Sequence, residues 1–187
     1  MTPEEGYRTF VHRTLSIVEQ LGKKAIGWHE VLKAAPPPWA VAQYWGTTDE
    51  DDLVAAAAAR GHRLILSPAT KAYLDMKYTP ETPIGFKWAA YIDVADAYGW
   101  DPGTFLRGVP TSAVLGVEAP LWTETMATYS DVQYMAFPRL AAIAELAWSP
   151  PGVRDWPDFA RRLARYGRRW TADGVTFYRS TQIPWLD

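Results

Sequence analysis

Apolar residues recur at helical spacing between Pro3 and Gly22, where Phe10, Val11, Thr14, Leu15, Val18 and Leu21 fall on one face. Thr2 is a ready cap, Pro3 suits the first helical position, Glu4 and Glu5 favour the first turn, and Gly22 stops the run. The period then shortens. Lys24 to Trp28 and Ala40 to Trp45, on either side of the Pro36-Pro37-Pro38 block, read as strands, each ending in tryptophan. Thr48 is expected to cap an alanine-rich helix from about Asp49 to Arg60, closed by Gly61, with Asp49-Glu50-Asp51-Asp52 as an acidic first turn favoured by the helix dipole. Arg63 to Ser67 gives a third strand. Ala69 to Pro110 loosens into a long loop region with a short helix around Tyr91 to Tyr98, and Ala113 to Val117 makes a fourth strand. A helix from about Ser130 to Trp148, kinked at Pro138, and another from about Trp156 to Ala172 follow, while the tail from Gly174 has no clear period.

Strands that alternate with helices imply a parallel sheet, because parallel neighbours need crossover connections of a dozen or more residues. The fold class is α/β. Four βα units are visible, whereas a closed (β/α)8 barrel needs eight and typically about 250 residues. The chain also opens on a helix, as though a strand preceded it. Residues 1–187 are therefore expected to form a single domain, the C-terminal half of a TIM-type barrel with about strands five to eight. An open sheet of four or five strands is the alternative.

Composition narrows the partners. A formal net charge of -2 and a pI near 5.9 give no basic footprint for nucleic acid or an anionic membrane. No apolar stretch approaches the length of a membrane span, and Met1-Thr2-Pro3-Glu4-Glu5 lacks the features of a signal peptide, so a soluble protein is expected. Cysteine is absent and His12, His29 and His62 have no ligand spacing, so neither metal nor cofactor is expected. Ten Trp and ten Tyr are a heavy aromatic load, suited to a binding surface or to a large aromatic core.

In parallel α/β folds ligands bind at the carboxyl ends of the strands. Those ends carry Trp28-His29-Glu30, Tyr44-Trp45-Gly46, Tyr73-Leu74-Asp75 and Trp122-Thr123-Glu124. In an extended chain Trp122 and Glu124 face the same way. An indole beside a carboxylate suits a sugar, whose C–H face rests on an aromatic ring while its hydroxyls donate to the acid. The plain alternative is a core aromatic next to a solvated acid.

Taken in order, Gly27-Trp28-His29-Glu30, the strand ending in Trp45, Tyr73-Leu74-Asp75, Glu118-Ala119-Pro120-Leu121-Trp122-Thr123-Glu124 and the run from Phe137 to Ser149 resemble glycoside hydrolase family 20, the exo-acting β-N-acetylhexosaminidases. The resemblance implies removal of terminal N-acetylglucosamine or N-acetylgalactosamine by retaining hydrolysis in which the substrate's own acetamido oxygen attacks the anomeric carbon. It further implies that Trp28, Trp45 and Trp122 wall the acetamido group, that Tyr73 donates to its oxygen, and that Asp75 and Glu124 accept from sugar hydroxyls. Glu30 and Glu118 are expected to pair structurally with an arginine such as Arg139. Trp88 either borders the aglycone or packs the long loop; His29 and His62 are structural or solvated.

The family's acid/base is a Glu preceded by Asp in a His-x-Gly-Gly-Asp-Glu type of motif, and this sequence contains none. The expectation is a pocket wall without the catalytic pair, inactive as an isolated chain and completed by an N-terminal half-barrel chain or by a second copy. A non-catalytic half-barrel remnant that homodimerises or binds amino sugars is the alternative of a different class.

Overall fold

The computed structural model describes residues 1–186 and divides into two compact units, one of residues 1–67 and 102–116, the other of residues 68–101 and 117–186. In the first unit α1 (Pro3–Gln20) starts from a capping box, in which the Thr2 hydroxyl accepts from the Glu5 amide while the Glu5 carboxylate accepts from Thr2. Only Val11 and Leu15 of its expected apolar face are buried, against Ala34, Ala40, Val31 and Trp39. Phe10 and Leu21 are exposed. The buried stripe is thus one i, i+4 pair, with Val18 half-buried beyond it and Phe10, Thr14 and Leu21 exposed.

Four strands follow in sheet order: β1 (Ile26–Trp28), β2 (Val41–Tyr44), β3 (Leu64–Leu66) and β4 (Val114–Val117). β1 pairs parallel with β2, aligning Trp28 with Gln43, and β2 pairs parallel with β3, aligning Tyr44 with Leu66. In the central strands Ala42, Tyr44, Leu64 and Leu66 are buried on one face of the sheet, while on the other Gln43 is buried and Val41 and Ile65 are half-buried. The edge strands are not: Ile26 is 59% exposed and Leu115 50%. Between β1 and β2 a 3₁₀ helix, His29–Ala34, turns the chain back.

The helix after β2 corrects the expected cap. α2 runs from Asp52 to Ala59, and Asp51 is its cap, accepting the Val54 amide at 3.0 Å. Thr48 instead donates to the Glu50 carbonyl, and Asp49 and Glu50 pair with Arg107. An N-cap carboxylate satisfies an orphan amide and meets the positive end of the helix; Asp51 takes that position and Asp52 opens the helix.

In the second unit α3 (Val94–Tyr98) is shorter than expected and packs on α5. The single kinked helix expected from Ser130 to Trp148 is two helices, α4 (Tyr129–Ala136) and α5 (Arg139–Trp148). Proline cannot donate to the ladder and forces the residue before it out of the helical region, and Phe137 is accordingly extended, with a cis bond to Pro138. α6 (Trp156–Ala172) falls where its pattern places it, burying Phe159, Ala160, Leu163, Ala164 and Gly167. The tail lacks regular structure yet packs through Tyr178, stacked on Tyr78 at 4.1 Å, and buried Ile183.

Asp51→Ala removes the cap of α2 and is expected to cost about 1 kcal/mol. Faster amide hydrogen exchange at Val54 to Ala57 with no change in α6 is the expected reading.

Candidate functional site

In the first unit the parallel register brings the ends of β1 and β2 side by side, so that Trp28 and the residue following Tyr44, Trp45, leave the sheet at the same end. Trp28 is partly exposed and Trp45 half-buried. The Trp45 indole N–H donates to both carboxylate oxygens of Glu30, at 2.9 and 3.0 Å, and its backbone amide donates to His29 Nδ1 at 3.4 Å. The His29 ring tilts against Tyr44 and Trp45, with centroids 5.1 and 5.8 Å away, and its Nε2 lies 3.7 Å from Asp51. Tyr44 is buried and donates to the Thr48 carbonyl at 2.7 Å; burial pushes its phenol up. Gln43 donates to Ser67 at 3.0 Å, joining the ends of β2 and β3 inside the unit.

In the second unit Tyr73, Leu74 and Asp75 lie in a loop that begins with a turn on the Pro68 carbonyl, and not at a strand end as expected. A buried guanidinium holds this loop. Arg139, 0% exposed, donates from Nη2 to the carbonyls of Leu74 (2.6 Å) and Met135 (2.8 Å) and from Nη1 to those of Met76 (2.6 Å) and Ile92 (3.1 Å). The Leu74 and Met76 carbonyls flank Asp75, so the planar fork fixes the backbone on both sides of that carboxylate. Tyr78 lies beneath the guanidinium at 3.7 Å and donates to the carbonyls of Met135 and Phe137. The opposite face of the loop is closed by Gly85, at φ +95°, where a Cβ would stand 2.7 Å from the Asp75 carbonyl. No other residue fits there without displacing that backbone.

Asp75 is 1% exposed, and its Oδ1 has no hydrogen-bond partner. Burial pushes its carboxyl up to about 6, against the lowering effect of its own amide and that of Trp122; Glu124 adds to the rise and Arg139 opposes it. The Leu74 amide donates to the Pro120 carbonyl at 2.8 Å, which ties the Tyr73 loop to the segment carrying Trp122 and Glu124. That segment is not an extended strand end. Residues 118–123 lack regular structure, and Glu124 enters a turn closed by the Met126 amide on Thr123. Trp122, 43% exposed, and Glu124 both reach solvent. Buried Tyr73 meets the half-exposed Trp88 edge to face at 5.8 Å.

The first unit's cluster presents flat indole surface; the second unit's presents a phenol, a buried acceptor carboxylate and further indole. Residues 2–151 match the family model for the catalytic domain of glycosyl hydrolase family 20. The chain belongs to that family. It is 41% identical over 181 residues to a β-N-acetylhexosaminidase of Cellulomonas fimi, covering 97% of this chain and 36% of that protein. Its fold superposes with a TM-score of 0.95 on the family 20 β-N-acetylhexosaminidase of Streptomyces coelicolor and on a Streptomyces plicatus β-hexosaminidase mutant in complex with its product N-acetylglucosamine, each 48% identical. Both alignments cover 99% of this chain and 38% of the other. The chain thus spans little more than a third of the length of these three relatives. The parallel four-stranded α/β fold, as part of a family 20 TIM barrel, is as the sequence implied.

Within this family 20 chain Glu30 and Arg139 each take partners other than the expected carboxylate–arginine pairing. Glu30 accepts an indole, Glu118 is exposed, and Arg139 is held by carbonyls. The four carbonyls already take its Nη hydrogens, and a carbonyl cage costs no second buried charge. Sequence reasoning missed the clamp, the Gly85 approach and the anchoring of Trp45; a lone arginine opening a helix after Phe-Pro was the available signal for the first.

Arg139→Met leaves the carbonyls of Leu74, Met76 and Ile92 without the guanidinium donor, Met135 keeping Tyr78, and is expected to destabilise the second unit by about 3 kcal/mol, with Arg139→Lys recovering part of it; urea unfolding followed by near-UV circular dichroism measures this. The raised Asp75 carboxyl keeps its proton longer in the folded than in the unfolded chain. Stability is therefore expected to fall as pH rises from about 4 to about 6, by roughly 3 kcal/mol from this group. Urea midpoints at pH 4.5 and 7 for wild type and Asp75→Asn test it, the variant being the less pH-dependent.

Proposed function

We propose that the chain carries the amino-sugar recognition wall of a β-N-acetylhexosaminidase, an exo-glycosidase that removes terminal N-acetylglucosamine or N-acetylgalactosamine by substrate-assisted retaining hydrolysis. One observation carries this reading: a buried carboxylate oxygen of Asp75 without a protein partner, in a loop fixed by Arg139 and tied to the Trp122 segment. Burying such an acceptor is costly unless a ligand supplies the donor, and a site of that kind rejects analogues lacking the hydroxyl. In this reading Glu124 accepts from a second hydroxyl, Tyr73 donates to the acetamido oxygen, and Trp28, Trp45 and Trp122 confine the acetamido group for attack on the anomeric carbon.

The His-x-Gly-Gly-Asp-Glu type of motif does not occur in this sequence, and in this proposal the chain does not supply the acid/base pair. Residues 1–187 in this proposal are one domain, the C-terminal half of the catalytic barrel, and turnover requires a complementing half. The exposed apolar side chains of the two edge strands, Ile26 and Leu115, favour further strands beside them, supplied by an N-terminal half-barrel or by a second copy.

A thiazoline analogue of N-acetylglucosamine is expected to bind the isolated chain in isothermal titration, and Tyr73→Phe to weaken it about tenfold. A chromogenic N-acetylglucosaminide should be cleaved only when a chain bearing the Asp-Glu motif is added. Absence of thiazoline binding, or turnover by the isolated chain, would overturn the respective half of the proposal; a discrete homodimer in light scattering favours the second-copy reading.

A further inference from the structure

Glu30 is a side chain of the first unit whose placement the proposed chemistry does not use. It sits in the 3₁₀ turn directly after β1, half-buried, and spends both carboxylate oxygens on one indole hydrogen. An indole has a single polar atom, and the ring's orientation is set by two torsions. A charged acceptor at 2.9 and 3.0 Å from Nε1 therefore selects one of the ring's orientations, and such charge-assisted bonds are about twice as strong as neutral ones. The same turn supplies His29, which takes the Trp45 backbone amide and rests its tilted ring against the indole. His29 in turn lies 3.7 Å from Asp51, whose carboxylate is fixed as the cap of α2.

We infer that Glu30 is a positioning residue that sets the Trp45 ring and thereby makes the site selective for an N-acyl group. The inference rests on the proposal that Trp45 confines the acetamido group. A wall that can rotate still offers apolar surface, but it no longer holds a small acyl group in one pose, and confinement is what converts binding into attack geometry. Sugars without the acyl group do not touch this wall and are indifferent to its orientation.

Two readouts separate the inference from the proposal beneath it. The first needs no ligand: the Trp45 indole N–H resonance, assigned through Trp45→Phe in a ¹⁵N correlation spectrum, is expected to move upfield in Glu30→Ala and to move less in Glu30→Gln, whose amide oxygen still accepts. The second is titration with N-acetylglucosamine and with glucose. Glu30→Ala should weaken N-acetylglucosamine about tenfold and leave glucose unchanged, with Glu30→Gln in between. An unmoved indole resonance, or equal losses for both sugars, would overturn the inference. If wild type gives no response to N-acetylglucosamine, the proposed function fails and the selectivity with it, while the indole shift still reports whether Glu30 holds the ring.

Discussion

The second unit is organised around a buried positive charge. A guanidinium taken out of water is costly unless its hydrogens are matched, and Arg139 donates from its two Nη atoms to the carbonyls of Leu74, Met76, Ile92 and Met135, with Nε alone left unmatched. Those carbonyls come from the Tyr73 loop, the approach to α3 and the end of α4, so a single side chain from α5 orders three segments. Tyr78 covers its face. The consequence falls on Asp75: its backbone is gripped on both sides and its carboxyl is buried, with one oxygen left to accept. A flexible loop would turn such a group to solvent, and the clamp prevents this.

Burial and acceptor capacity pull Asp75 in opposite directions. Desolvation favours the neutral acid, whereas the amides of Asp75 and Trp122 favour the carboxylate, and the balance leaves the group changing charge in mildly acidic solution. Stability is lost to keep an acceptor ready, a pattern expected where a site binds and does not merely pack. In the first unit the strategy differs. There the proposed function rests on aromatic surfaces, and the carboxylate of Glu30 accepts the indole N–H of one of them, Trp45.

Much of the architecture was legible in the chain. The strand and helix alternation, the α6 stripe and the order of the five motifs are local patterns, and local patterns survive folding. Three features were not legible because tertiary partners decide them. Asp51 outcompetes Thr48 as a cap on charge, Phe10 and Leu21 find nothing to bury them within their unit, and Phe137-Pro138 breaks a helix whose apolar spacing runs on unbroken. The candidate site residues Trp28, Trp45, Tyr73, Asp75, Trp122 and Glu124 were named by resemblance, while the physical devices around them came from long-range contacts. Arg139 meets Leu74 and Met76 across more than sixty residues of sequence, a distance no window of periodicity can span.

The central claim is that the buried Asp75 carboxylate is held ready for a sugar hydroxyl. Its side-chain carbon can be followed by ¹³C nuclear magnetic resonance through a pH titration with and without saturating N-acetylglucosamine. A hydroxyl donating to Asp75 stabilises the charged form, so the account predicts a midpoint near 6 for the protein alone and a lower one with the sugar bound. A midpoint that stays in place when N-acetylglucosamine is bound would contradict it.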